Sequence, residues 1–154
     1  MAEPRDPEAF FDQSFGDLRE ELRMVAKEGR KALVIMFETE DCPWCRKMRA
    51  TVLNQVAVQD YYRKRFRVIS LDAAGDNPVT DVTGTEMPEK DYAFKVHRVR
   101  ATPVFVFLDL KGAPVARFTG AAKDVNEFLW LGEFVADGHY RNGNFNAFKR
   151  KKSG

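Results

Sequence analysis

The sequence predicts one α/β domain with a central mixed β-sheet flanked by helices. Continuous apolar runs, such as ALVIMFE at 32–38, are typical of strands that are buried on both faces. Segments with apolar residues at helical spacing alternate with these runs, which implies parallel pairing of the first strands. A hairpin at 103–119 adds an antiparallel edge, and 154 residues are enough to bury one core.

The first predicted element is an amphipathic helix that ends at Gly29. Ser14 and Asp17 resemble a capping box near its start. Its apolar stripe consists of Phe11, Phe15, Leu18, Leu22 and Val25. The later elements are predicted as a strand at 32–38, a helix at 45–66, a strand at 66–74, a helix at 89–98, strands at 103–110 and 113–119, and a helix at 122–138.

An insert at 75–88 precedes the third helix and has the least regular pattern of the chain. Two short apolar stretches flank Thr83 and Gly84, which is compatible with a small hairpin. A plain surface loop fits the same residues, and both interpretations stay open.

A C-terminal extension at 139–154 follows the core, which we place at about 15–137, and we expect the whole chain to form a single domain. The last residues, 149–154, have no apolar periodicity and are expected to be mobile and dispensable. Phe145 and Phe148 are aromatic residues in a polar segment, and we expect them to pin the extension to the domain.

The charge pattern argues against a nucleic-acid partner. The chain has 25 basic and 23 acidic residues, a net charge of +2, and the run 149–152 supplies four of the positive charges. Without that run the balance is 21 against 23, or −2, so there is a basic end and no basic face.

The sequence also predicts no membrane span and no signal peptide within the chain. No segment approaches the ~18 uninterrupted apolar residues of a membrane helix. The N-terminal stretch MAEPRDPEAFFDQSF lacks both a basic and an apolar region. A mature start left after removal of a signal peptide, with Met1 added for expression, stays open.

The two cysteines of the chain lie together in the stretch EDCPWCRKM at 40–48. A disulfide-stapled secreted domain needs more than one pair, and a structural zinc site needs about four ligands. The histidines, His97 and His139, are far away in sequence. The pair Cys42 and Cys45 is therefore best interpreted as a redox dithiol.

The residues around the pair favour a reactive thiol. A buried strand precedes Cys42, and Pro43 suits the first turn of a helix, so Cys42 lies at a helix N-terminus with Cys45 one turn later. Free N–H groups and the positive end of the helix dipole favour a thiolate there. We expect Cys42 to be the exposed nucleophile, with a pKa below the ~8.5 of a free thiol but above the ~3.5 of a strong oxidant, and Cys45 to resolve.

The combination of these motifs resembles the thioredoxin fold over about residues 15–137. The resemblance rests on a buried strand, CPWC opening a helix, ATP at 101–103 opening the third strand, and a hairpin followed by Gly120. It implies that Cys42 attacks and Cys45 resolves. It also implies that Pro103 is a cis-proline facing the dithiol.

The same resemblance implies a groove for the substrate beside the cysteines. Thr102 would offer its backbone to a substrate strand, Gly120 would line the groove, and Trp44 would cover one side of the pair. One departure from the family is Met36, at a position where many cytoplasmic thioredoxins have a buried aspartate that relays protons. Glu38 either assists proton transfer from Cys45 or is a solvated strand end, and both interpretations stay open.

The implied function is a thiol–disulfide oxidoreductase that reduces protein or thiol disulfides without a metal or prosthetic group. Its expected partners are a disulfide-containing protein or thiol substrate and an upstream electron donor, and we expect a monomer. The N-terminal helix, the insert and the extension are similar to those of SoxW-like periplasmic thioredoxins, while a cytoplasmic location stays open. The alternative is a binding module or copper carrier on the same fold, in which His97 approaches the cysteines.

Overall fold

A computed structural model describes residues 3–154, so the expectation about Met1 lies outside the described residues. The central sheet has four strands in the order β2-β1-β5-β6. β1 pairs with β2 in parallel, whereas β1–β5 and β5–β6 are antiparallel, which confirms the predicted mixed sheet. The strands are β1 (Ala32–Glu38), β2 (Phe66–Asp72), β5 (Val104–Leu108) and β6 (Pro114–Thr119), with β3 (Pro78–Thr80) and β4 (Glu86–Pro88) in a separate hairpin.

Helices cover both faces of the sheet, and within residues 3–154 none is long and apolar enough to cross a bilayer. β1 is buried on both sides: Val34 and Met36 face one core cluster, and Ile35 faces the other. The helices are α1 (Leu18–Lys27), α2 (Pro43–Thr51), α3 (Val56–Arg65), α4 (Glu89–Asp91), α5 (Val125–Ala136) and α6 (Phe145–Ser153), with a π-helical turn at Tyr92–Val96 and 3₁₀ turns at Pro7–Phe10 and His139–Asn142.

An aromatic stack joins α3 to α5 in the cluster that also contains the cysteines. The rings of Tyr62 and Phe128 are parallel with centroids 4.5 Å apart, and the Tyr62 hydroxyl donates to the Phe128 carbonyl at 2.6 Å. Gly132 leaves room for the Tyr62 ring, since a Cβ there would lie 3.1 Å from a ring carbon of Tyr62 and 2.8 Å from one of Tyr61. The side of the sheet that holds α2 is therefore tightly packed.

The N-terminal helix begins later than the sequence predicted. Asp17 is the N-cap of α1, and Ser14 instead accepts from the Gly16 amide, so the predicted capping box is wrong. Gly16 has φ +86°, which ends any helical path before Asp17. As a result Phe15 is almost fully exposed, and Phe10 in the preceding 3₁₀ turn is the aromatic residue that enters the core.

The segment before α1 lies along the outer edge of β2. The Asp12 amide donates to the Val68 carbonyl at 2.6 Å, and the Asp12 carboxylate accepts from the Val68 amide at 2.9 Å. The guanidinium groups of Arg30 and Arg63 hold the same carboxylate, at 3.5 and 3.0 Å. One aspartate thus satisfies both backbone groups of Val68 that β1 leaves free.

The long helix predicted at 45–66 is two helices, α2 and α3, separated by residues 52–55. Val52 leaves the helical conformation, with φ −124°, and both Val52 and Leu53 enter the core there. The side-chain amide of Gln59 donates to the Leu53 carbonyl at 2.8 Å and holds the turn. Tertiary burial therefore overrides the continuous helical pattern.

The insert at 75–88 contains a small hairpin, the first of the two open interpretations. β3 and β4 pair antiparallel, with Val79 opposite Met87. The Asp81 carboxylate accepts from the amides of Thr83 and Thr85 and closes the turn.

The prediction of a mobile basic end is wrong, because residues 149–153 are the last part of α6. Lys149 pairs with Glu127 at 2.9 Å, and Lys152 pairs with Glu133 at 2.7 Å, so two of the basic residues face α5.

Phe145 and Phe148 pin the extension, as predicted. Both rings lie 5.5 Å from the ring of Phe134 in α5, and Phe145 also makes an edge contact with Phe118 of β6. The extension therefore docks against the core cluster that contains the cysteines.

Candidate active site

The end of β1 and the start of α2 place the cysteine pair. Cys42 is the N-cap of α2, with an extended backbone, and Pro43 occupies the first helical turn. The Cys42 Sγ accepts a hydrogen bond from the Cys45 amide at 3.1 Å. Cys42 and Cys45 form a disulfide, with their Cα atoms 5.2 Å apart. The helix terminus therefore directs an unpaired backbone donor at the first sulfur.

The pair is less accessible than the sequence predicted. Cys42 is 5% exposed and Cys45 is 2% exposed, so the expectation of an exposed Cys42 is wrong: the disulfide is buried under the surface of the domain. Both side chains belong to the core cluster that also contains Met36. Trp44 points outward and is mostly exposed, and the Lys47 ammonium lies 5.2 Å from its ring centroid. A substrate must reach the narrow exposed part of Cys42.

Thr102, Pro103 and Gly120 lie at the same edge of the sheet as the dithiol. Val104 is the register partner of Phe37, so Pro103 lies beside the end of β1, from which the chain leads to Cys42. The Thr102–Pro103 peptide bond is cis. The Gly120 amide donates to the Pro103 carbonyl at 2.8 Å, and Gly120 has φ +93°. The structure thus brings the predicted groove residues together.

A contact that the sequence did not reveal ties this edge to α2. The Ala122 amide lies 3.1 Å from the Met48 sulfur. Met48 is one turn beyond Cys45, and Ala122 follows Gly120 by two residues. The loop at 120–122 is therefore held against α2, the helix that begins at the dithiol.

Glu38 is held by an arginine, which neither of its two open interpretations anticipated. Its side chain is 14% exposed and lies on the same face of the sheet as α2. Arg49 donates from Nε and Nη2 to the two carboxylate oxygens, at 3.1 and 2.6 Å, and the Ser70 hydroxyl donates to one of them. Arg49 also contacts Glu8. Glu38 is therefore not a solvated strand end, and a role in proton transfer stays untested.

His97 does not approach the cysteines. Its ring packs 5.5 Å from the ring of Phe37, on the opposite face of the sheet, and its Nε2 lies 2.8 Å from the Tyr92 hydroxyl. Burial, with a smaller contribution from Arg117, lowers the pKa of His97 to about 4. Within residues 3–154 there is no group of three or more His, Cys, Asp or Glu side chains that could hold a metal ion.

The sequence model of the thioredoxin-like domain family matches residues 18–136. The chain belongs to this family. The match begins at α1 and ends with α5, so it includes the cysteine pair and the groove residues and leaves out α6. A search of curated protein sequences gave no significant match.

Solved structures with the same fold include a thioredoxin-fold protein from Helicobacter pylori. It is 19% identical, with a TM-score of 0.72, and the likeness covers 96% of this chain and 94% of that one. The C-terminal domain of DsbD from Neisseria meningitidis, in its reduced form, is 21% identical, with a TM-score of 0.57 and coverage of 77% and 93%. A thioredoxin from Thermus thermophilus is 29% identical, with a TM-score of 0.59 and coverage of 75% and 81%. The predicted thioredoxin fold is confirmed.

Proposed function

We propose that the chain is a thiol–disulfide oxidoreductase that reduces disulfides of proteins or small thiols through Cys42 and Cys45. One observation carries the proposal: Cys42 caps α2 and its sulfur accepts the Cys45 amide, so a thiolate formed there faces a fixed donor. Charge-assisted hydrogen bonds of this kind stabilise the anion. The family membership is consistent with this chemistry.

The proposed reaction has two exchange steps. The Cys42 thiolate attacks one sulfur of the substrate disulfide, a mixed disulfide forms, and the first substrate thiolate leaves. Cys45 loses its proton and attacks the Cys42 sulfur, which forms the Cys42–Cys45 disulfide and releases the second substrate thiol. The substrate gains two electrons and two protons, and the dithiol loses them. An upstream electron donor must then reduce the Cys42–Cys45 disulfide.

The neighbouring residues have separate roles in this proposal. Thr102 offers backbone groups to an extended substrate segment, and Gly120, without a side chain, leaves the groove open beside Pro103. Trp44 is an exposed apolar surface beside the dithiol. No metal or prosthetic group takes part in the proposed steps.

The direction of the reaction and the biological setting are also proposals. The likeness to a thioredoxin from Thermus thermophilus at 29% identity supports a reductant. The likeness to the C-terminal domain of DsbD and to a DsbH oxidoreductase supports a redox protein. From the sequence resemblance of the N-terminal helix, the insert and the extension, we propose the periplasm and a SoxW-like subtype. We further propose that the whole chain is one domain and acts as a monomer.

Insulin reduction with dithiothreitol as electron donor tests the proposal. The wild-type chain should accelerate precipitation of the insulin B chain, and Cys42→Ser should abolish the acceleration. In a separate incubation without dithiothreitol, pre-reduced Cys45→Ser should accumulate a mixed disulfide with insulin, visible on a non-reducing gel. The Cys42→Ser/Cys45→Ser double variant is the control for non-covalent association. Absence of any disulfide-linked species with Cys45→Ser would show that the assigned roles are wrong.

A further inference from the structure

The segment that leads into Thr102 exposes apolar side chains that the fold does not cover. Phe94 is 50% exposed and Val96 is 45% exposed, and both belong to the small set of large apolar residues on the surface of the described chain. Their neighbours Tyr92 and Val99 are buried in the core cluster on the face opposite to the cysteines. Large apolar side chains that remain exposed next to polar ones are typical of a contact surface.

This segment is rigidly held. The Arg98 amide donates to the Phe94 carbonyl at 3.1 Å, and the Val99 amide donates to the Ala93 carbonyl at 3.0 Å. Arg98 has φ +54°, a left-handed conformation that is uncommon for residues with a side chain. The Arg117 guanidinium of β6 donates to the carbonyls of residues 97 and 98 and fixes the bend. A partner would therefore meet a preformed surface, at a smaller entropic cost.

Three exposed arginines belong to this part of the fold. Arg98, Arg100 and Arg117 are exposed, and in the part of the chain that the structure describes none of them lies within ion-pair distance of a carboxylate. The Arg100 guanidinium lies 5.8 Å from the ring centroid of Phe94. We call the exposed surface formed by Phe94, Val96, Arg98 and Arg100 the arginine ridge.

The ridge leads along the chain into the groove residues. Arg100 precedes Thr102 by two residues, and Arg117, which braces the ridge, precedes Gly120 by three. A substrate segment whose cysteine reacts with Cys42 and whose backbone follows the chain from Thr102 towards Arg100 would meet this surface. Arg98 and Arg100 are exposed and Val99 between them is buried, an alternation that matches the alternate side chains of an extended peptide.

We propose that the arginine ridge selects protein substrates in which the segment beside the reactive cysteine carries aspartate or glutamate together with an apolar residue. The inference rests on the proposed function of the dithiol. Charge complementarity identifies the occupant, because the two arginines of the ridge, Arg98 and Arg100, favour acidic side chains and the exposed Phe94 and Val96 favour an apolar one. The ridge affects the rate of attack on such a substrate and takes no part in the exchange chemistry.

Peptides with one internal disulfide test the proposal. Three peptides share length and cysteine spacing and differ only in the flank of the first cysteine, which carries two acidic residues, two lysines or two serines beside one leucine. The reduced full chain is mixed with each, and the second-order rate constant is measured by acid quench and chromatography. Each rate is divided by the rate of the same variant with bis(hydroxyethyl) disulfide, which has no flank.

We expect the acidic peptide to react about tenfold faster than the lysine peptide at low salt, and the ratio to fall towards one near 1 M salt. Arg98→Gln/Arg100→Gln should bring the ratio below about twofold. Arg141→Gln, which changes an exposed arginine of the extension, should keep the wild-type ratio and is the matched control. Thermal melts of all variants establish that they are folded.

Equal wild-type rates for the three peptides would overturn the ridge proposal, and so would a preference that Arg98→Gln/Arg100→Gln retains. Binding of the chain to anionic lipid vesicles that this double variant abolishes, without a peptide preference, would assign the ridge to a membrane surface instead. Failure of the wild-type chain to reduce any peptide or bis(hydroxyethyl) disulfide would overturn the proposed function itself, and the ridge proposal with it.

Discussion

The substitution Glu38→Gln distinguishes two roles of the Glu38 carboxylate, which lies between α2 and the sheet. The first role is to stabilise the packing of α2, and the second is to transfer a proton from Cys45. The amide keeps the size of the side chain and can still accept from Arg49 or Ser70, but it carries no charge and cannot take up a proton near neutral pH. The structure shows both carboxylate oxygens of Glu38 already engaged. We therefore expect Glu38 to stabilise the packing of α2 on β1 rather than to transfer a proton from Cys45.

The expected loss of stability follows from the burial of the ion pair. Breaking a fully buried pair costs about 3–5 kcal/mol, and an exposed pair contributes about 0–1 kcal/mol. Glu38 is 14% exposed and Arg49 is 21% exposed, and Arg49 keeps its contact with Glu8. We expect the amide to lower the free energy of unfolding by about 1–2 kcal/mol, a fall in Tm of roughly 2–8 °C for a chain of this size.

The expected catalytic effect differs sharply between the two roles. A positioned acid or base contributes about 10²–10⁴ to a rate. If Glu38 is structural, the rate at which Cys45 resolves a mixed disulfide should change less than about threefold, with an unaltered pH profile. The measurement is stopped-flow release of a chromogenic thiol from the mixed disulfide of Cys42, alongside thermal melts. Glu40→Gln, an exposed neighbour in the loop, is the control.

A resolving rate that falls more than a hundredfold in Glu38→Gln, in a variant that thermal melts show to be folded, would refute this reasoning and establish the proton relay. Arg49→Met gives an independent check. It leaves the Glu38 carboxylate with Ser70 alone, and we expect it to lower stability more than Glu38→Gln does.

Three further expectations concern the thiol, the buried histidine and the C-terminal helix. In reduced Cys45→Ser, the backbone amide that faces Cys42 is retained, so the midpoint of iodoacetamide alkylation against pH should lie below that of a free thiol; a midpoint at or above it contradicts the helix-terminus argument. His97 has its pKa lowered to about 4, so the unfolded chain binds the proton first, and the free energy of unfolding should fall as pH drops from about 6.5 to 4. His97→Gln should flatten this slope in urea titrations, and an unchanged slope would assign the effect to other groups. Deletion of 149–154 removes most of α6 and two ion pairs, so Tm should fall by several degrees, whereas an unaltered Tm would mean that the docked helix adds no stability.

The two central strands of the sheet, β1 and β5, were predictable because each is a continuous apolar run. β1 was predicted with its observed bounds, 32–38. The break between α2 and α3 was not predictable, since apolar residues continue at helical spacing through 52–56 and only burial of Leu53 turns the chain. The ion pairs of the basic residues in α6 were not predictable either, because their acidic partners lie on α5.

The candidate site divides in the same way. The pairing of Cys42 with Cys45 was predictable from their spacing, and the cis bond before Pro103 followed from the family resemblance. The partnership of Glu38 with Arg49 was not, because the two residues are eleven positions apart and meet only when α2 packs against β1. The arginine ridge was hidden for a similar reason: only the bend at Arg98 and the folded surface show which side chains remain exposed.

The hydrogen bonds of Asp12 to Val68 have a consequence for any shortened form of the protein. A β-sheet whose outermost strand has free N–H and C=O groups can add a strand from a neighbouring molecule and aggregate. Asp12 blocks this at β2, although it lies outside residues 18–136, which the family match defines. A fragment trimmed to 18–136 would leave the Val68 edge open and remove the carboxylate that holds Arg30 and Arg63. Such a fragment should self-associate at concentrations at which the full chain stays dispersed.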